Sequence, residues 1–305
     1  MSHLLSRLSA NPYLLLVLTM FMWGGNAIAG QLAVGEISPM LLTALRWAGV
    51  AILILIFARR RVANEWPVLR TRLPLLLALG ALGFTTFNAL FYIAAHSTVA
   101  INIGIIQGSL PVFVMLGAYV FYRTPVTGAQ MIGVVVTMIG IAVVAARGDL
   151  VRIGDVQFNP GDLLMISACL LYAAYTVALR ERPAASGLAI FSVMALGALA
   201  TSIPLAITEA LMGDLIWPTH AGWAIAAFVA VFPSFLSQLF FLRSVELIGP
   251  GRAGVFINLV PVITAALGVF ILNEEFRGFH AAALLFVLGG IGLAERGHML
   301  RKQKS

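Results

Sequence analysis

Charge is scarce in this 305-residue sequence. Asp, Glu, Lys and Arg together make up 10% of it, against about a quarter of a soluble domain. Cysteine is scarcer. The single Cys169 excludes an internal disulfide framework and any CxxC metal site. Catalytic signatures are missing as well: the chain has no HExxH, no GxSxG and no Walker A motif, and no acidic pair inside an apolar run. These absences argue against a membrane enzyme and against a pump that carries its own nucleotide site. No cofactor or metal is implied. A cleavable leader is not expected either. The first apolar run starts near Tyr13, is too long for the core of a signal peptide, and lacks an A-x-A end.

What is present is apolar sequence, 61% hydrophobic residues gathered into long runs. Each run is long enough to cross a bilayer as a helix. Ten are expected, over residues 12–32, 39–57, 73–95, 101–122, 128–146, 161–179, 187–208, 221–243, 252–272 and 279–295. The fold class is therefore an all-α polytopic membrane protein with the lipid bilayer as its partner. The longest polar connection is Arg147–Pro160. Trp66 and Trp217 fit an interfacial aromatic belt.

The net charge of +7 could suggest nucleic acid, but its placement points elsewhere. Ten spans put both termini on one side. On that side fall Arg7, Arg59, Arg60, Arg61, Arg70, Arg72, Arg123, Arg180, Arg182, Arg243, Arg252, Arg296, Arg301, Lys302 and Lys304, which is 15 of the 19 basic residues. Arg147, Arg152 and Arg277 fall on the other, and Arg46 lies inside a span. Basic residues collect in cytoplasmic loops, so both tails, 1–11 and 296–305, are expected in the cytoplasm, and no nucleic-acid partner is expected.

Two runs share an unusual feature. Ile101–Tyr122 carries Pro111 near its middle, and Ala253–Leu272 carries Pro261 in the matching place. Proline removes a hydrogen bond to the carbonyl four residues back. In lipid, such a break must face protein or a water-filled cavity. The match belongs to a repeat at an offset of about 149–150 residues. Gly128 falls on Gly278, Gly140-Ile141 on Gly290-Ile291, and Leu90-Phe91-Tyr92 on Leu239-Phe240-Phe241. The units are 12–146 and 161–295. Five spans per unit is odd, so the second unit enters the membrane upside down. Inverted repeats with paired broken helices point to a secondary transporter whose site lies near mid-membrane.

The sequence resembles the ten-helix EamA-type branch of the drug/metabolite transporter superfamily. The resemblance rests on Met22-Trp23-Gly24-Gly25-Asn26, on Leu45-Arg46-Trp47-Ala48, and on the run from Phe91 to Pro111-Val112-Phe113. Leu272-Asn273-Glu274, followed by Gly278 and the glycine-rich last span, completes it. It implies an inner-membrane secondary transporter, commonly an exporter of amino acids or other small metabolites. The family pattern often has Glu after the fourth span. Here Arg123-Thr124 stands there, and only the second half keeps its acid, Glu274.

Arg46 is the sharpest single signal. It lies about seven residues into the second span, and a charge at that depth costs about 2.5–3.5 kcal/mol on insertion scales, so it should face the interior with a partner. It could anchor a substrate carboxylate, clamp onto helix carbonyls, or snorkel to the rim. Around it, Trp23, Asn26, Asn88, Tyr92, Gln107, Tyr172, Tyr175, Gln238 and Asn258 are candidate pocket residues for a small-molecule substrate. Interhelical hydrogen bonding is the alternative role for the amides. No acidic residue lies well inside a run; Asp162 and Glu295 sit at span ends, so an interior proton carrier is not expected. His96, His220 and His280 lie at span ends near the outer face; a histidine there could couple transport to protons, and the ordinary reading is a solvated or interfacial residue. Gly133, Gly140, Gly289, Gly290 and Gly292 mark spans five and ten as packing elements, at a repeat contact or a homodimer contact. A non-transporting sensor or assembly partner is a further alternative. A sugar-phosphate or nucleotide-sugar carrier would need more interior basic residues than Arg46.

Overall fold

The computed structural model describes residues 11–148 and 159–302, with no account of the side chains at 250, 251, 255 and 295–302. Arg7, Arg152 and Lys304, most of the Arg147–Pro160 connection, and the side chains of Glu295, Arg296, Arg301 and Lys302 fall outside this description. No strand occurs among the described residues.

Ten helical segments follow one another: α1 Pro12–Leu32, α2 Pro39–Phe57, α3 Arg59–Ala95, α4 Ala100–Tyr122, α5 Gly128–Ala145, α6 Pro160–Glu181, α7 Gly187–Met212, α8 His220–Ile248, α9 Arg252–Leu272 and α10 Gly278–Lys302. Among the described residues nine are long and apolar enough to cross a membrane, and the apolar part of α10 is Gly278–Ala294. Their starts are written locally. Pro12, Pro39 and Pro160 occupy first-turn positions where no backbone donor is needed, and Asn11, Thr127, Asn159, Ser186 and Thr219 cap with side-chain oxygens.

Two boundaries differ from the expectation. Residues 59–72, read as a polar loop, are helical and run straight into α3, with a single non-helical residue, Ala58, between them and α2. Arg59, Arg60 and Arg61 stay exposed while Leu69 is buried in the same apolar cluster as Leu76 and Val193. An amphipathic segment with one buried stripe is a helix that hydropathy alone overlooks. At the other end of the chain α10 continues to Lys302, seven residues past the expected end at 295.

Loops alternate between two ends of the bundle. At one end, Ser38 N donates to the Ile216 carbonyl, Thr219 N to that of Glu36, and Asn159 Nδ2 to that of Ser97. At the other, Ser186 N donates to Glu65 and Arg252 to the Tyr13 hydroxyl. α5 packs on α10, α2 on α7 and α4 on α9. The pairs α1–α8, α1–α9 and α2–α8 recur as α6–α3, α6–α4 and α7–α3.

α3 and α8 each loosen into a π turn, at Ala81–Thr86 and Ala230–Leu236. In both, a hydroxyl donates to the carbonyl five residues back, Thr86 to Ala81 at 3.0 Å and Ser234 to Val229 at 2.6 Å. α4 is broken at Gly108–Ser109, immediately before Leu110-Pro111. α9 passes through a 3₁₀ turn, Phe256–Leu259, immediately before Val260-Pro261. The two breaks touch: a Cβ at Gly108 would lie 2.9 Å from Pro261 Cγ. Pro261 is buried and Pro111 half-buried.

Candidate functional site

Arg46 points inward from α2 and is 6% exposed, so it does not snorkel. Its Nη1 donates to Asn26 Oδ1 of α1 at 2.8 Å and to the Tyr92 hydroxyl of α3 at 2.6 Å. Tyr92 in turn donates to Asn26 at 3.3 Å. Its partners are thus neutral side chains, not helix carbonyls. The ion pairs among the described residues, Arg61–Glu65, Arg243–Glu246 and Arg277–Glu275, all lie near helix ends, away from Arg46. Its Nε is buried without a hydrogen-bond partner, as are Trp47 Nε1 and Asn88 Oδ1. Buried polar atoms are normally paired, so three unpaired ones on neighbouring side chains call for an explanation.

Aromatic rings run from this guanidinium and back to it. Arg46 lies 5.7 Å from the Trp47 ring, which stacks on Phe84 at 4.8 Å and 9°. Phe84 meets Tyr175, Tyr175 meets Tyr172, and Tyr172 meets Phe87. Phe87 meets Phe91, Phe91 meets Tyr92, and the Tyr92 ring is 6.0 Å from Arg46. The circuit needs a bare backbone at one point. A Cβ on Gly83, inside the π turn of α3, would fall 2.3 Å from the Tyr175 ring. π turns in helices are frequent at functional sites.

Of the expected site residues, the structure joins Asn26, Arg46 and Tyr92 directly, and Tyr172 and Tyr175 through the rings. Asn88 lies on the same stretch of α3, with Nδ2 donating to the Phe84 carbonyl at 2.6 Å. Trp23 is engaged elsewhere, donating to Ser237 Oγ at 3.0 Å and lying against Phe241. Gln107 sits at the break in α4, its Oε1 buried without a partner. Gln238 and Asn258 are half-buried on α8 and α9. Trp47, Phe84 and Phe91 were not among the expected residues. Aromatic composition is too common in apolar spans to have singled them out.

Four more side chains depart from the sequence reading or add to it. Asp162, set aside as a span-end residue, is fully buried. His280 is buried too, its Nδ1 accepting from Arg277 N at 3.0 Å and its ring against Phe279; the neighbouring turn closes over it. Glu274 reaches from the α9–α10 turn to the start of α4, accepting from Ala100 N at 2.7 Å and Ile101 N at 2.9 Å. Glu209, at the end of α7, does the same for α2, accepting from Met40 N and Leu41 N at 3.0 Å each. A carboxylate over a helix start satisfies orphan donors and opposes the helix dipole. Glu274→Gln keeps the size but offers one acceptor oxygen and no charge. It is expected to cost about 1–3 kcal/mol, read as a lower denaturant midpoint of the purified protein.

The family model for the EamA-like transporter family matches residues 11–146 and 159–295. Among curated relatives, the uncharacterized transporter YyaM of Bacillus subtilis (strain 168) is 26% identical over 92% of this chain and 92% of its own. An uncharacterized transporter of Archaeoglobus fulgidus is 25% identical over 94% and 98%. The uncharacterized inner membrane transporter YedA of Escherichia coli (strain K12) is 22% identical over 91% and 88%. One solved crystal structure superposes with a TM-score of 0.61 at 20% identity, over 96% of this chain and 99% of the other, and so shares the fold. These matches span both halves of the bundle that hold the Arg46 cluster, and the chain belongs to the EamA-like transporter family, as an all-α, multi-pass membrane transporter.

Proposed function

We propose that this transporter moves a small carboxylate-bearing metabolite, an amino acid or a close relative, outward across the inner membrane. The observation that carries the reading is Arg46, a buried guanidinium with neutral partners only and an unpaired Nε, beside the ring circuit. A guanidinium in that state offers a carboxylate its charge and a free donor, and the rings offer apolar surface to the rest of the solute. Gln107, Gln238 and Asn258 complete the pocket in this reading.

Alternating access is proposed through two inverted five-helix repeats, 12–146 and 161–295. Several features support it. The π turns of α3 and α8, the breaks before Pro111 and Pro261, and the left-handed residues Arg123 and Asn273 recur at the repeat offset. So do the helix pairings. Each half presents a broken helix to the other, which lets two similar units exchange conformations around one site. Both tails are placed in the cytoplasm on the basic residues at that end. The inner-membrane location is carried over from the similarity to YedA.

Purified protein in liposomes, preloaded with unlabelled amino and organic acids, tests the substrate class by counterflow. Exchange is expected for some labelled carboxylate solute and not for its amide or amine analogue. Equal exchange of the analogue would remove the carboxylate from the reading. A preceding thermal-shift screen narrows the candidates, since a bound solute raises apparent stability by mass action.

A further inference from the structure

One charged group has no place in the site above. Asp162 lies in the first turn of α6 and is 0% exposed. The start of α6 is pressed onto the α3–α4 turn: a Cβ on Gly161 would fall 2.7 Å from the Ala94 carbonyl oxygen and 2.9 Å from Thr98 N. From that turn, the Thr98 hydroxyl donates to Asp162 Oδ1 at 2.5 Å. From α4, Asn102 Nδ2 lies 3.3 and 3.4 Å from the two carboxylate oxygens and 3.1 Å from Thr98 Oγ1. Thr98 and Asn102 are themselves buried. Among the described residues no basic group reaches salt-bridge distance of Asp162; the charge that acts on it is that of Arg147, beyond α5. Glu209 and Glu274, at the same end of the bundle, each hold two backbone donors of another helix. Asp162 holds neutral side chains.

The cluster is short of a hydrogen. It contains four acceptor atoms: two carboxylate oxygens, Thr98 Oγ1 and Asn102 Oδ1. The Thr98 hydroxyl and the Asn102 amide supply three hydrogens, and Asn102 Oδ1 is buried with no donor. A proton on Asp162 adds a fourth hydrogen and turns the carboxyl into a donor. A half-turn of the Asn102 amide exchanges its Nδ2 donors for Oδ1, which then accepts from the protonated Asp162. The ionised form keeps the Asn102 Nδ2 contacts but bears the desolvation cost of a buried charge.

We propose that Asp162, Thr98 and Asn102 form a proton-binding site between the second half of the bundle and the first. A proton from water adds to the Asp162 carboxylate, and no other bond forms or breaks. The site joins α6 to the α3–α4 turn, so its occupancy alters how the halves are held. That this couples solute movement to protons rests on the transporter reading; the site itself does not.

Infrared titration of the full-length protein in lipid reads the site directly. The wild type is expected to show a protonated-carboxyl band that titrates with pH, absent from Asp162→Asn and retained in Glu274→Gln. If Asp162→Asn fails to fold, Thr98→Val serves instead. It removes a donor to the ionised form, so proton binding should tighten about tenfold, moving the midpoint up by about one unit. A band unchanged in both variants, or no titrating band in the wild type, overturns the proposal. So does binding of ²²Na⁺ that Asp162→Asn abolishes in the absence of a titrating band. Counterflow without the band would sink the proton site and leave the transporter reading standing; the band without any exchanged solute would do the reverse.

Discussion

Arg46→Met is expected to cut saturable exchange of the carboxylate solute at least tenfold while the protein stays folded. A hydrogen bond to a charged group is worth about 1.5–3 kcal/mol, which is about ten- to hundredfold in affinity. The fold should not suffer in proportion. Arg46 has no carboxylate of its own to lose, and its bonds run to the neutral Asn26 and Tyr92. Removing an interior charge also relieves about 2.5–3.5 kcal/mol of insertion cost, which offsets those two bonds. Counterflow and thermal unfolding measured on one preparation separate the roles. Lost exchange with an unchanged or higher melting temperature identifies an anchor. A lower melting temperature with exchange intact would make Arg46 a structural clamp.

The second large effect is on stability. Gly290→Val is expected to cost about 3 kcal/mol or more, the top of the usual range for overpacking. A Cβ there would meet Thr137 Oγ1 at 2.3 Å, the Gly133 carbonyl oxygen at 2.6 Å and Thr137 N at 2.7 Å. From the other side, a Cβ on Gly133 would meet the Gly290 carbonyl oxygen at 2.4 Å. Two of the three atoms facing Gly290 are backbone, which cannot rotate away. α5 would have to part from α10, and with it one half of the bundle from the other. Gly289→Val is the control, because nothing lies within 4 Å of a Cβ at that neighbouring glycine. Denaturant unfolding should separate the two variants clearly; equal stabilities would mean that the α5–α10 contact can re-form at a wider spacing. The contact lies within one chain, so Gly133 and Gly290 are not available to a homodimer.

How far the sequence could be read follows from where each signal resides. The proline starts of α1, α2 and α6, the broken α4 and α9, and the inward direction of Arg46 all depend on the residue and its immediate neighbours. The helical stretch 59–69 escaped because its mean hydropathy is low and only one face packs. The burial of Asp162 and His280 escaped because a span-end residue looks solvated until the next turn is laid over it. Glu274 was visible as a family position, but its target, the start of α4, was not.

Sequence alone determined the ten helical segments, nine of them, among the described residues, long and apolar enough to cross a membrane, their order and the family. A bilayer obliges each segment to satisfy its own backbone, so length and apolar content suffice. It did not determine which side chains meet. In lipid every apolar face looks alike, and helix choice falls to close approach and a few polar contacts. Only the folded bundle brought Asn26, Arg46 and Tyr92 together from three helices, closed the rings around them, and placed Asp162 against Thr98 and Asn102.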